Sequence, residues 1–203
     1  SFGALNGISA TSSQTAVLTA SAQNTAANLT HQIVVKSLAP TSSQYTDPVT
    51  TDTLSDGTFT INLGDGSTHD VQIDSTHNTL DGLVSYINGQ DFGVTASVIS
   101  DANGSRLALV SKTSGDAGNI TITGNDTGLA FNSSAEGKNA SLTIDGVPVS
   151  SATNTVTGAI QGITLNLTSA APDSVVLLTV GPNTAGAKQA VNDFVSSYNT
   201  LIN

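Results

Sequence analysis

Ser67, His69 and Asp70 lie within one four-residue stretch and supply the side-chain types of a nucleophile, a base and an orienting acid. Such chemistry needs the three groups in one hydrogen-bonded line facing oxyanion donors. On a strand, positions 67 and 69 share a face while 70 points the other way, and no G-x-S-x-G elbow surrounds the serine. The trio is therefore read as hairpin side chains. His31, His69 and His77 are the only histidines, and no Cys or cluster of Glu joins them into a metal-ligand set. Asp101-Ala102-Asn103-Gly104-Ser105 resembles the start of a calcium loop, but the positions that need Gly and a bidentate Glu hold Arg106 and Lys112. A phosphate-binding loop ending in Lys112-Thr113 fails likewise, with Arg106 and Ser111 in place of its glycines. Every acid except Glu136 is Asp, mostly beside Gly, Asn, Ser or Thr, which marks turn formers rather than acid–base pairs. Asn-x-Ser/Thr matches at Asn119 and Asn166 are expected by chance in so hydroxyl-rich a chain. No catalytic, cofactor or metal site is expected, and the chain is read as not an enzyme.

The elements that carry these residues are mostly strands. Ala16 to Ala20 and His31 to Lys36 read as a first β block. Pro40 to Asp56, rich in Ser, Thr, Asp and Pro, reads as a linker or long surface loop. Phe59, Ile61 and Leu63 alternate with polar residues, Gly64-Asp65-Gly66 turns the chain, and Val71 and Ile73 return it as a hairpin. Leu80, Leu83, Val84 and Ile87 then follow at helical spacing, with Asn78 or Thr79 as N-cap and Gly89 as the stop. Val94 to Ile99 and Arg106 to Val110 flank a turn in which Asn103-Gly104 suits positive φ, and Asn119 to Thr123 adds a strand. The stretch from about 57 to 123 thus reads ββαβββ. After the polar segment Gly124 to Asn139, Leu142 and Ile144 face Val147 and Val149 across Asp145-Gly146, a type I′ hairpin signal. Ile163 to Leu167 and Ser174 to Val180 complete a second β block.

Gly181-Pro182-Asn183-Thr184 opens a last helix. On it Ala187, Ala190, Val191, Phe194, Val195, Tyr198, Leu201 and Ile202 form one stripe, and its length is roughly 30 Å. The stripe runs unbroken to the last residues, which predicts that the native polypeptide continues. The fold class expected is mainly β with minor α: two small β-rich domains, one inserted in the other. The boundaries expected are 1–46 plus 133–182 for the discontinuous domain, 47–132 for the inserted α+β domain and 183–203 for the start of a helical element.

Composition removes several function classes. Five Lys and Arg against 15 Asp and Glu give a net charge of −10, and the cations Lys36, Arg106, Lys112, Lys138 and Lys188 are scattered, so no basic surface exists for nucleic acid or an anionic membrane. No run approaches the roughly 18 apolar residues of a membrane span, so no membrane insertion is expected. Aromatics are 4% of the chain, with no Trp, too few for the aromatic-lined cleft of a carbohydrate hydrolase.

Two stretches carry a resemblance to a known family. Asn78-Thr79-Leu80-Asp81-Gly82-Leu83 with Ile87-Asn88, Gly93 to Val98 and Arg106 to Gly115 form one. Leu142 to Val149, Thr153 to Val156, Ile160 to Leu167, and Val191 to Val195 with Tyr198-Asn199 form the other, the more specific. Together they resemble the bacterial flagellar filament-cap proteins (hook-associated protein 2, the flagellar capping protein), while Phe2 to Ala22 is similar only loosely. The resemblance implies a head of two β-rich domains on a helical leg, with residues 184–203 the first leg helix and most of the leg absent from this sequence. It also implies a secreted structural protein that homo-oligomerises at the tip of the growing filament and helps exported flagellin fold and insert. Its place would be extracellular, reached by the flagellar secretion route, and in some family members the head contributes to adhesion through a host surface ligand. Val191, Phe194, Val195, Tyr198, Leu201 and Ile202 would then be the leg-packing interface. Composition alone supports equally a β-rich domain of a bacterial adhesin or phage fibre. The long helix favours the cap.

Overall fold

The structure, a computed structural model, describes residues 7–202. Residues 1–6, where the segment 1–46 and the Phe2–Ala22 likeness begin, and Asn203, the end of 183–203, lie outside the described residues. The chain forms two compact units, one from residues 39–140 and one from residues 1–38 with 141–203, so the first is inserted in the second.

In the inserted unit, the alternation of Phe59 and Ile61 with Thr and Asn makes β5 (Gly57–Leu63), and the hairpin partner β6 (Thr68–Ile73) pairs Phe59 with Val71. β9 (Ile120–Thr123) lies on the other side of β5. A second sheet runs β10 (Phe131–Ala135), β4 (Thr41–Thr46), β8 (Gly104–Ser114), β7 (Val94–Asp101), all antiparallel. Helix α1 (Leu80–Gly89) begins where Thr79 Oγ1 accepts from the Gly82 N–H at 3.1 Å. It buries Leu83 and Ile87 in a core shared with Phe59, Ile61, Leu107 and Leu109. Each of those side chains contributes about 1.5–3 kcal/mol on burial. Gly64 sits where a Cβ would come within 1.8 Å of the Asp116 carbonyl oxygen, so the β5–β6 turn can lie against that backbone only without a side chain.

Three expectations need correction here. Pro40 to Asp56 is not simply a loop, because β4 occupies an interior place in its sheet. Its inward side chains, Ser42, Gln44 and Thr46, are polar yet buried, so a search for apolar alternation passes over them. They are tolerated because each bonds to backbone. Ser42 Oγ donates to Ala135 O at 3.1 Å and accepts from Ile120 N–H at 3.0 Å, Gln44 Nε2 donates to Ile120 O at 3.0 Å, and Thr46 Oγ1 accepts from Leu107 N–H at 3.0 Å. Since β4 pairs with β8 and β10, the units meet at 38/39 and 140/141 rather than at 46/47 and 132/133. Secondly, the β7–β8 turn centres on Ala102-Asn103, and its positive φ falls on Gly104. Thirdly, α1 is stopped by Gln90 and then Asp91 at φ 54°, not by Gly89, which remains helical.

The outer unit holds a five-stranded sheet in the order β1 (Ile8–Ser12), β15 (Val176–Pro182), β3 (Thr30–Ser37), β11 (Ala140–Ile144), β12 (Val147–Ser151). A three-stranded sheet contains β13 (Thr155–Ile160), β14 (Ile163–Leu167) and β2 (Leu18–Ala22). Ile33 and Val35 of β3, Leu142 of β11, Leu165 of β14 and Val176 and Leu178 of β15 are buried, the period-two pattern of half-covered sheets. The β11–β12 turn uses Asp145 at φ 52° and Gly146 at φ 84°, as its sequence predicts. Helix α2 (Thr184–Ile202) follows β15 after a single residue.

Candidate interface on the C-terminal helix

The residues that could have done chemistry are engaged elsewhere. Ser67 Oγ donates to Asp65 Oδ1 at 2.7 Å, Asp70 Oδ1 accepts from Thr60 Oγ1 at 2.7 Å, and His69 stacks on Phe92 with centroids 4.8 Å apart. His77 stacks on Tyr86 at 4.3 Å and lies 3.3 Å from Asp74, and His31 Nδ1 is 2.7 Å from Asp145 Oδ2. Asp65, Asp74 and Asp101 each accept from the backbone N–H two residues on, the hydrogen bond of a turn former. These bonds hold the carboxyls below the ordinary Asp range: the Ser67 hydroxyl and N–H act on Asp65, the Thr76 hydroxyl and N–H on Asp74, and Arg106 followed by the Asn103 N–H on Asp101. Asp145 is lowered by the Gln32 N–H and then by His31. No group of three His, Cys, Asp or Glu side chains fit for a metal ion occurs among the described residues.

What remains is α2. Asn183 prepares its first turn: Asn183 Oδ1 accepts from Gly186 N–H at 2.9 Å, and its carbonyl accepts from Ala187 N–H at 3.0 Å. Gly186, Ala187 and Ala190 are half-buried, but every described residue from Val191 onward is exposed. Val191, Phe194, Val195, Tyr198, Leu201 and Ile202 recur at helical spacing and so lie on one face. Their exposures run from 48% at Val195 to 83% at Leu201, with Phe194 at 70%. The structure thus brings all six together and leaves all six uncovered. The helix is otherwise almost uncharged, carrying Lys188 and Asp193, and Asp193 Oδ1 accepts from Gln189 Nε2 at 2.7 Å. Burying six such side chains from this degree of exposure would gain roughly 5–10 kcal/mol. Joining two separate molecules costs about 4–15 kcal/mol. The stripe alone would therefore pair weakly with a second molecule, whereas a helix of the same polypeptide would meet it without that association cost.

The sequence did not reveal the element beside which α2 begins. β1 pairs antiparallel with β15, with Ile8 opposite Pro182, and the Asn183 N–H donates to the Gly7 carbonyl at 2.7 Å. The start of β1 therefore lies alongside the start of α2. The only local signal for β1 is the short Ile8-Ser9-Ala10-Thr11 alternation, too weak to separate from loop. No helix among the described residues is long and apolar enough to cross a membrane.

Comparison with known proteins accounts for the fold. The family model described as "Flagellar hook-associated protein 2 C-terminus" matches residues 137–203, and the one described as "Flagellin hook IN motif" matches residues 58–113. The B-type flagellar hook-associated protein 2 of Pseudomonas aeruginosa is 34% identical over 222 aligned residues, which take in 95% of this chain and 47% of the relative. Flagellar hook-associated protein 2 of Escherichia coli O157:H7 is 32% identical, over 96% of this chain and 46% of its own length. This chain therefore spans about half the length of these relatives. Among solved structures, the D1-D2-D3 domains of the flagellar cap protein FliD from Escherichia coli superpose with a TM-score of 0.78 at 29% identity, covering 98% of this chain and 73% of that one. FliD (HAP2) from Pseudomonas aeruginosa PAO1 gives a TM-score of 0.72 at 29% identity, covering 92% and 93%. With two β-rich units, one inserted in the other, a C-terminal helix and these matches along its length, the chain belongs to the flagellar hook-associated protein 2 family of flagellar cap proteins.

Proposed function

We propose that this chain is the head of a cap at the tip of the growing flagellar filament, and that α2 is the first helix of the leg on which the head stands. The observation that carries the reading is the uncovered stripe from Val191 to Ile202 on a helix that buries no residue. The side-by-side placement of Gly7 and Asn183 supports it, because it sets the start of β1 beside the start of α2. In this reading the stripe is the leg-packing interface, and the complete leg multiplies the contact area until subunits associate into a ring. The cap then acts through oligomeric shape, holding exported flagellin while it folds and inserts, with no bond made or broken. The site is extracellular, reached by the flagellar secretion route.

The test uses the full-length protein. Light scattering against concentration is expected to show assembly above the monomer, and the gene is expected to restore filament growth to a cap-deficient strain. Phe194→Ser with Leu201→Ser should lower the assembly state and the rescue together while leaving the β-sheet circular dichroism intact. A wild-type protein that stays monomeric at high concentration and rescues nothing refutes the cap. Full assembly and rescue by the double variant refute the role given to the stripe.

A further inference from the structure

In the inserted unit, the four-stranded sheet ends on β7, and only part of that edge is closed. The Lys112 N–H donates to the Gly93 carbonyl at 2.9 Å, which sets the phase of the β7–β8 ladder. Thr95, Ser97 and Ile99 turn their backbone groups toward β8, and Val94, Ala96, Val98 and Ser100 turn theirs away. At Ala96 the Asn88 carboxamide takes both groups, Oδ1 accepting from the N–H at 2.8 Å and Nδ2 donating to the carbonyl at 2.9 Å. Asn88 thus imitates the next strand. At Val98 and Ser100 no hydrogen-bond partner for the outward backbone groups occurs among the described residues. Both residues line an open groove of about 760 Å³, whose other wall includes Thr50, Asp52, Thr79 and Asp81. An unpaired edge of this kind is a template for another strand.

Two further features state what such a strand would carry. Side chains of an added strand alternate between the faces of the sheet. Those level with Val98 and Ser100 fall on the groove side, among Asp52 and Asp81. Arg106 pairs with Asp101 at 2.7 Å, and no ion pair of Asp52 or Asp81 occurs among the described residues. Those level with Ile99 fall on the opposite face, where Ile99, Tyr45 and Val110 are exposed around a smaller apolar hollow. We propose that the open half of β7 binds an extended peptide segment in which Lys or Arg alternates with β-branched apolar residues. The basic side chains enter the groove, and the apolar ones extend the patch of Ile99 and Val110.

The experiment titrates the isotopically labelled chain with the capped hexapeptide Thr-Val-Lys-Val-Lys-Thr, followed by amide NMR. Saturable shifts are expected at Val98, Ser100 and Thr50 to Asp52, with the Asp-for-Lys peptide at least about tenfold weaker. Ser100→Pro removes an outward N–H that the ladder does not use and should weaken binding about tenfold while the β5 and β6 amides keep their positions. Should that variant not fold, Asp52→Asn with Asp81→Asn leaves the backbone donors intact and should abolish the preference for the Lys peptide. Absence of saturable shifts, or equal binding of the two peptides, overturns the proposal. So do β7 shifts on dilution without peptide, which would assign the edge to a second copy of the chain.

Discussion

Thr46→Val tests the account of β4 as a strand whose buried face is polar. The substitution keeps shape and removes one acceptor, Thr46 Oγ1, which stands 3.0 Å from the Leu107 amide nitrogen. Both residues are fully buried, so water cannot replace the lost partner. The β4–β8 register ends at Tyr45 opposite Ala108, and the threonine hydroxyl takes over one step further along. Leaving the Leu107 N–H unpaired costs about 1–3 kcal/mol, and the added methyl returns at most about 1 kcal/mol. The net loss of about 1–2 kcal/mol should lower the melting temperature of the inserted unit by about 4–12 °C, given its size of roughly 100 residues. Thermal unfolding followed by circular dichroism reads the shift, and hydrogen exchange should show the Leu107 amide losing protection before its neighbours in β8. If Thr46→Val melts at or above the wild-type temperature, the hydroxyl is not the partner of a buried donor and the explanation of β4 fails.

Gly64→Ala should destabilise the same unit by several kcal/mol, since its Cβ would lie 1.8 Å from the Asp116 carbonyl oxygen and the backbone must shift to admit it; urea titration checks this, and a wild-type midpoint counts against the close approach. Acid should weaken the protein through Asp65, Asp74, Asp91, Asp101, Glu136 and Asp145, all lowered in the folded state. Their stabilisation is present above the unfolded carboxyl values near pH 4 and is lost as pH falls through the folded ones, because the unfolded chain then binds more protons. Urea midpoints at pH 7 and pH 3 measure the loss. Salt should shrink it where Lys112 and Lys138 are the partners.

Elements whose burial follows hydropathy were legible. The β5–β6 hairpin, α1 with its Thr79 cap, the Asp145-Gly146 turn and the stripe of α2 all stand where periodicity and turn residues place them. The hidden parts share one cause. β4 is buried through Ser42, Gln44 and Thr46, whose partners, Ala135, Ile120 and Leu107, lie distant in sequence, so nothing local announces them. β1 contributes a short strand whose residues are at most half-buried, which leaves hardly any periodic signal. The stripe of α2 was legible as a pattern, but exposure is a property of what surrounds it and required coordinates. The open edge of β7 lay deeper still, because which backbone groups face outward depends on the phase of pairing with β8.

The insertion also bears on the order in which the molecule can form. Every contact that defines the unit 39–140 is internal to it, whereas β3 and β11, which flank it in sequence, must find each other across it, with Ser37 opposite Ser141. Pairing those strands around an unstructured insertion closes a loop of roughly 100 residues, which costs roughly 2–3 kcal/mol more than closing one of a few residues. Once folded, the insertion holds its own ends near one place: the Gly115 N–H donates to the Pro40 carbonyl at 3.1 Å and the Asp116 N–H to Asn139 Oδ1 at 3.1 Å. It then works as a clasp that hands β3 and β11 to each other already close. A lesion confined to the insertion, such as Gly64→Ala, should therefore also slow the refolding of the outer sheet.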